Sequence, residues 1–300
     1  MSVSAPQIGI IEAQREIPFA QAWHRWQREA RHGVVDLPHY RCRYYEWGQG
    51  QPLVLVHGLA DRASSFVPLI AHLADSFRCV AYELPDGADD GARLGAIRHA
   101  DLADGLVAIL DHLGIRQAAA YGASFGGTIV LAGLSRQPRR FLRAMVQSSF
   151  ARRPLALMER VVVHLARWWP GRLGDLPLWS AQQERIDGPA FAGRDPGLFA
   201  LKKSNAASIP IRTFAHRALL VDRLDLRPVL PSIRHPVLLL SGDQDLIANS
   251  QAQEELARGL PHADRLELAD CGHFAQYTHA PVVAEACRRF LLPPCGLPSW

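Results

Sequence analysis

Five runs of four residues, 53–56 (LVLV), 79–82 (CVAY), 118–121 (AAAY), 144–147 (AMVQ) and 237–240 (VLLL), are almost wholly apolar and do not alternate. A strand with one wet face alternates between apolar and polar residues, whereas a strand covered on both faces reads as a continuous apolar run. The segments 64–75, 94–113, 124–136 and 249–260 have helical length and periodicity. Strand therefore alternates with helix, which predicts an α/β domain: an open, mostly parallel sheet with right-handed crossovers and helices on both faces.

Residues 265–269 alternate like a last strand, and residues 34–47 read as two strands around Pro38. Phe19, Trp23, Trp26 and Ala30 fall at helical spacing with Arg25, Arg28 and Glu29 between them, predicting an amphipathic helix docked on the domain. The pattern breaks from 148 to 232, a stretch rich in Arg, Pro and Trp that reads as several short helices without a buried strand. The expected organisation is a helical extension over 1–33, a core over 34–147, an all-helical insertion over 148–232 after the sixth strand, and the rest of the core over 233–300.

A net charge of +4 on 300 residues gives no whole-protein argument for nucleic-acid binding, so no such partner is expected. The first thirty residues hold Glu12, Glu16 and two tryptophans but no apolar core of a secretory signal, and no apolar run reaches membrane-spanning length. Cysteines at 42, 79, 271, 287 and 295 show neither CxxC spacing nor a metal-ligand pattern. They read as reduced, mostly buried thiols of a cytoplasmic protein, with no metal or cofactor expected.

Chemistry enters after the run ending at Tyr121, where the chain reads Gly122-Ala123-Ser124-Phe125-Gly126-Gly127. Gly-x-Ser-x-Gly alone would arise by chance in roughly one chain in ten of this composition. Its position between a strand and a helix is the informative part. A sharp turn there lifts the hydroxyl above the sheet edge, leaves the next N–H free at a helix N-terminus, and needs glycine where a side chain would strike the neighbouring strand and helix. The alternative is a glycine-rich turn with a solvated serine.

The run at 237–240 leads into Ser-Gly-Asp-Gln-Asp, which places Asp243 and Asp245 at the same rim, where sites in parallel sheets lie. Asp243 could instead shape the turn through its own backbone. After the last strand comes Asp-Cys-Gly-His273-Phe, and a histidine there can take a serine proton and return it to a leaving group. His57-Gly58-Leu59 follows the first run. His57 could be a second base; the better reading is that it braces its loop while the N–H groups of Leu59 and Phe125 face a developing oxyanion.

Strand–HG, strand–GxSxGG–helix, strand–GxxD and strand–GH, in this order, resemble the α/β-hydrolase superfamily in its capped branch, over roughly residues 34 to 292. The resemblance implies a triad of Ser124 as nucleophile, Asp245 rather than Asp243 as acid, and His273 as base. It also implies an oxyanion hole at Leu59 and Phe125, supporting roles for His57, Gly58, Gly122 and Gly126, and a helical cap over 148–232. One departure stands in 83–87: Glu-Leu-Pro-Asp-Gly replaces a frequent Asp-x-Pro-Gly-His-Gly, in a loop expected to support the serine turn.

From Arg136 to Gly174 there are nine arginines, no lysine and one acid, Glu159. Leu155, Met158, Val162, Leu165 and Trp169 form one helical stripe, and Leu157, Val161 and Trp168 make a second face apolar, which predicts apolar neighbours on two sides. Three readings follow in descending weight: a cap helix packed on the core with arginine stems over apolar surface, an acyl-binding lid, and contact with a membrane surface. The expected function is hydrolysis of a small carboxylic ester with a largely apolar acyl part. The same triad would also serve a carbon–carbon bond or amide hydrolase, and the fold can host a non-catalytic ligand binder. No feature of the sequence assigns an oligomeric state.

Overall fold

A computed structural model describes residues 15–292; the first part of the extension and Cys295 lie outside the described residues. Eight strands form one sheet in the order β1-β2-β4-β3-β5-β6-β7-β8. β1 (Arg31–Asp36) and β2 (Arg41–Trp47) are antiparallel to each other, and β2 is antiparallel to β4 (Phe77–Tyr82). From β4 onward the pairings are parallel, through β3 (Gln51–Val56), β5 (Ala118–Ala123), β6 (Phe141–Gln147), β7 (Val237–Gly242) and β8 (Ala263–Leu268).

The helices cover both faces, which is why the central strands do not alternate. Val54 and Val56 enter the core beneath α3 (His99–His112), α4 (Phe125–Arg136) and α9 (Ser250–Gly259), while Leu53 and Leu55 enter the core beneath α1 (Phe19–Glu29), α2 (Val67–Leu73) and, after the short α10 (Ala275–Thr278), α11 (Ala280–Leu291). Every residue of β5 and β7 is buried. α1 docks through Ala22 and Trp26, and its first N–H donates to Asp195 at 2.9 Å.

Between β6 and β7 the chain forms α5 (Leu157–Ala166), α6 (Trp179–Ile186), α7 (Pro196–Ala207) and α8 (Ile211–Arg223). α7 is seated through Leu198 and Leu201, which cluster with Tyr277, and α8 through Val221 in the core and Arg217 on the loops below. α5 departs from expectation: its single buried residue is Val163, and the side chains that the sequence divides between two faces, Met158, Val162, Leu165 and Trp169, and Leu157, Val161 and Trp168, are all exposed, those within α5 on one side of it. Among the described residues its main apolar neighbour is α8, because it lies at the outside of the cap and not between layers.

Candidate active site

The strand order reverses between β3 and β5, and a crevice opens at such a point beyond the carboxyl ends of the strands. His57 follows β3, Ser124 follows β5, Asp245 lies three residues past β7, and His273 lies five residues past β8, so all four stand on that rim.

Ser124 has φ 53° and ψ −118°, a conformation costly for a residue with a side chain. The surroundings hold it. Its N–H donates to Gln147 O at 2.8 Å, and its carbonyl accepts from Gly127 N at 2.9 Å and from Ser149 Oγ at 2.8 Å. Gly126 presses on β3 so closely that a Cβ would overlap the carbonyl oxygen of Val56; a Cβ on Gly122 would strike Gly126 O at 2.5 Å. The turn is therefore built on bare backbone at both positions.

His57 is fully buried and held at both ring nitrogens: Nδ1 donates to Gly58 O at 2.8 Å, and Nε2 accepts from Leu84 N at 3.1 Å. Burial, with the nearby Arg217 charge, holds its pKa well below the ordinary value, so the ring is neutral and saturated. Gly58 lies against Ser124, where an added Cβ would sit 3.5 Å from Ser124 Cβ. Among the described residues, no protein group accepts a hydrogen bond from the N–H of Leu59 or of Phe125.

Asp245 and Asp243 separate cleanly. Asp245 accepts from His273 Nδ1 at 2.9 Å through Oδ2 and 3.1 Å through Oδ1, and from the N–H groups of Ile247 and Ala248 at 2.8 and 2.9 Å. Burial alone would raise this carboxyl; His273 and the two N–H groups outweigh burial and hold it below its ordinary value. Asp243 instead accepts from Cys271 N at 3.1 Å, pinning the loop that carries the histidine. With Nδ1 facing Asp245, Nε2 of His273 is the free acceptor. Among the described residues no hydrogen bond joins it to Ser124 Oγ, a contact that often tightens only with substrate bound.

Four supporting residues escaped the sequence reading. Gln147, buried at the end of β6, accepts from Tyr121 OH and donates to His273 O at 3.1 Å and to Gln276 Oε1 at 2.6 Å. Arg217 of α8, 2% exposed, donates to the carbonyls of Leu59, Leu84 and Pro85 at 2.8 to 3.2 Å. Asp61 accepts from Arg62 N, Tyr277 OH and Asn205 of α7, and burial pushes its carboxyl up to about 6. Arg62 bonds Asp86 at 2.6 Å and Ser208 Oγ at 3.0 Å. Single polar residues of this kind leave no pattern in a sequence; only the pairing identifies them.

The loop 83–87 differs from expectation as well. Its bonds run to the loop 57–63, through Leu84 N to His57 and Ala63 N to Glu83 at 3.1 Å, and to Arg62 and Arg217. It braces the Leu59 loop and not the serine turn. Above His273 the cap contributes Phe191, 5.8 Å from Phe274, and Lys202, whose ammonium lies 5.0 Å over the same ring. A cavity of about 800 Å³ beside α9 is lined by Phe150, Arg152, Ile247 and Asn249 among others, and by none of Ser124, Asp245 and His273.

A serine on a strained strand-to-helix turn, on the same rim of a parallel sheet as an Asp-paired histidine, defines a class of hydrolytic sites. The family model described as the alpha/beta hydrolase fold matches residues 51–280. The chain belongs to the alpha/beta hydrolase family and is a hydrolase of that fold. It is 26% identical to the uncharacterized hydrolase YugF of Bacillus subtilis, over 83% of this chain and 93% of that one. It is 29% identical to the pimeloyl-[acyl-carrier protein] methyl ester esterase of Xanthomonas campestris, over 81% of this chain and 96% of that one. The enol-lactonase of Burkholderia xenovorans superposes with a TM-score of 0.75 at 23% identity, covering 86% of this chain and 99% of that one, a likeness of fold. Among the described residues no helix is long and apolar enough to cross a membrane.

Proposed function

We propose that this chain is a serine hydrolase that cleaves a small carboxylic ester with a largely apolar acyl part. The observation that carries the reading is the bond from His273 Nδ1 to Asp245 at 2.9 Å, on the rim that holds Ser124 at positive φ. Ester cleavage is supported by the methyl ester esterase at 29% identity. An apolar acyl group is supported by Phe274, edge-on to His273 at 5.3 Å between ring centroids, and by Phe191 at 5.8 Å from Phe274. A cytoplasmic setting fits four buried thiols, Cys42, Cys79, Cys271 and Cys287, none in a disulfide.

Ser124 Oγ attacks the ester carbonyl as His273 Nε2 takes its proton, and Asp245 holds the ring and stabilises the imidazolium. The tetrahedral oxyanion is received by the N–H groups of Leu59 and Phe125; losing one such donor typically costs about 3 to 4 kcal/mol of barrier. His57 and Gly58 keep the first donor in place, and Gly122 and Gly126 keep the second. Collapse breaks the C–O bond, and the departing alkoxide takes the proton from His273 to leave as the alcohol. Water, deprotonated by the same histidine, then cleaves the acyl-enzyme to a carboxylic acid and restores Ser124.

The test is turnover of p-nitrophenyl esters from acetate to palmitate by wild type and Ser124→Ala, with fluorophosphonate labelling beside it. Ester turnover with a chain-length optimum, reduced about 1,000-fold or more in the variant, is expected. Undiminished turnover in the variant sinks the mechanism. A folded, fluorophosphonate-labelled wild type without ester turnover keeps the serine nucleophile but sinks the ester assignment in favour of carbon–carbon or amide substrates.

A further inference from the structure

Four large side chains of α5, Leu157, Met158, Val162 and Leu165, fall within about 140° of one another around the helix, and Trp168 and Trp169 follow in the turn after it. Each is between 58% and 83% exposed. The opposite side is committed to the protein: Val163 packs with Ala215, Ala218 and Leu219 of α8, and Arg160 pairs with Asp222 at 2.9 Å. A helix pinned on one side and apolar on the other is uncommon on a soluble surface, where large contiguous apolar patches mark contact sites.

The charge around the patch indicates what covers it. Arg167 and Arg172, next to it in the chain, are exposed and form no ion pair among the described residues, whereas Arg152 and Arg153 line the cavity beside α9. Arg167 lies over the ring of Trp168, 5.7 Å from its centroid. The one acid between residues 152 and 172, Glu159, is occupied at the helix start, accepting from Ala156 N at 2.9 Å. We propose that this face of the cap docks on an anionic lipid surface, with α5 lying in the interface plane.

A bilayer satisfies both halves of the surface at once. The aliphatic side chains enter the acyl region, the paired tryptophans suit the headgroup boundary, and the guanidinium groups meet lipid phosphates. A second copy of the chain satisfies only the first half. An isologous contact through the stripe would bring the unpaired arginines of both copies together, with Glu159 and Asp222 on each already engaged. Docking would also place the catalytic rim near the membrane, since α5 packs on α8 and α8 holds the Leu59 loop through Arg217.

The test uses the full chain with vesicles of phosphatidylcholine alone and of phosphatidylcholine mixed with phosphatidylglycerol, read by flotation and tryptophan emission. Wild type is expected to bind the mixed vesicles with a blue-shifted emission. Binding should fall about tenfold or more at high salt and in the double variant Trp168→Ser, Trp169→Ser. Thermal melting of the variant, expected unchanged because both side chains are exposed, separates lost docking from lost folding. The proposal is overturned if folded wild type ignores the mixed vesicles, if it binds neutral vesicles equally well, or if the folded double variant binds as wild type does. It is overturned equally by a concentration-dependent dimer that the double variant abolishes, because a second copy would then own the face.

Discussion

The side-chain amide of Gln147 donates to the carbonyl oxygen of His273 across 3.1 Å, while the backbone carbonyl of Gln147 accepts from the N–H of Ser124 at 2.8 Å. One residue at the tip of β6 thus ties the turn after β5 to the loop after β8, two segments 149 positions apart in the chain. In the proposed mechanism the distance from Ser124 to His273 governs proton transfer, and this residue helps set it. Replacing Gln147 by Leu keeps the volume and deletes the bonds, leaving Tyr121 OH and Gln276 without their partner. The expected outcome is a kcat reduced about tenfold or more with KM changed little, and a melting temperature several degrees lower. Steady-state kinetics with a thermal melt checks both.

Asp245 and Asp243 are two residues apart and do different work. Asp245→Asn should lower kcat by about 10³ to 10⁴, because an amide in that place favours the wrong histidine tautomer. Asp243→Asn keeps an oxygen to accept from Cys271 N and should cost about tenfold at most. Equal losses in the two variants would remove Asp245 from its special role.

Arg217 is a buried cation with three carbonyl partners and a pKa lowered to about 10, chiefly by burial. Arg217→Met would orphan those carbonyls and free the Leu59 loop. A stability loss of about 2 to 4 kcal/mol and a fall in kcat of about tenfold are expected. Urea unfolding and turnover, measured on the same preparation, read the two effects separately.

Acid should destabilise the fold before it protonates most carboxylates. Burial lowers His72, His99, His216 and His279 to about 4. An unfolded histidine titrates near 6.5, so below that pH the unfolded chain binds protons that the folded chain refuses. Stability is therefore present above about 6.5 and is lost as pH falls toward 4. Asp61, raised to about 6, acts in the opposite sense: its contribution grows as pH falls from about 6 toward 4. Burial also raises Glu83 and lowers His57, and two carboxyls against five imidazoles do not reverse the sign. Thermal melts between pH 7 and pH 5 should show a drop of about 5 °C or more.

Wherever the requirement was local, the sequence carried it. The apolar runs mark strands covered on both faces, and Gly122, Ser124 and Gly126 mark a turn where backbone must touch backbone. The ends of those strands place His57, Ser124, Asp245 and His273 on one rim, because parallel strands present their carboxyl ends together. Composition could not say which side of α5 faces the protein, because an apolar stripe looks the same whether it meets a core, a pocket or solvent.

Tertiary structure alone decided which long-range pairs form. Asp243 and Asp245 are the same residue type on the same loop, and only the approach of the loop after β8 gives one of them Cys271 N and the other His273. Gln147 and Arg217 acquire their roles from partners far away in sequence, on other strands and on the cap. A hydrogen bond depends on distance and direction between two groups, and for groups far apart in the chain those are properties of the packed fold and not of either residue.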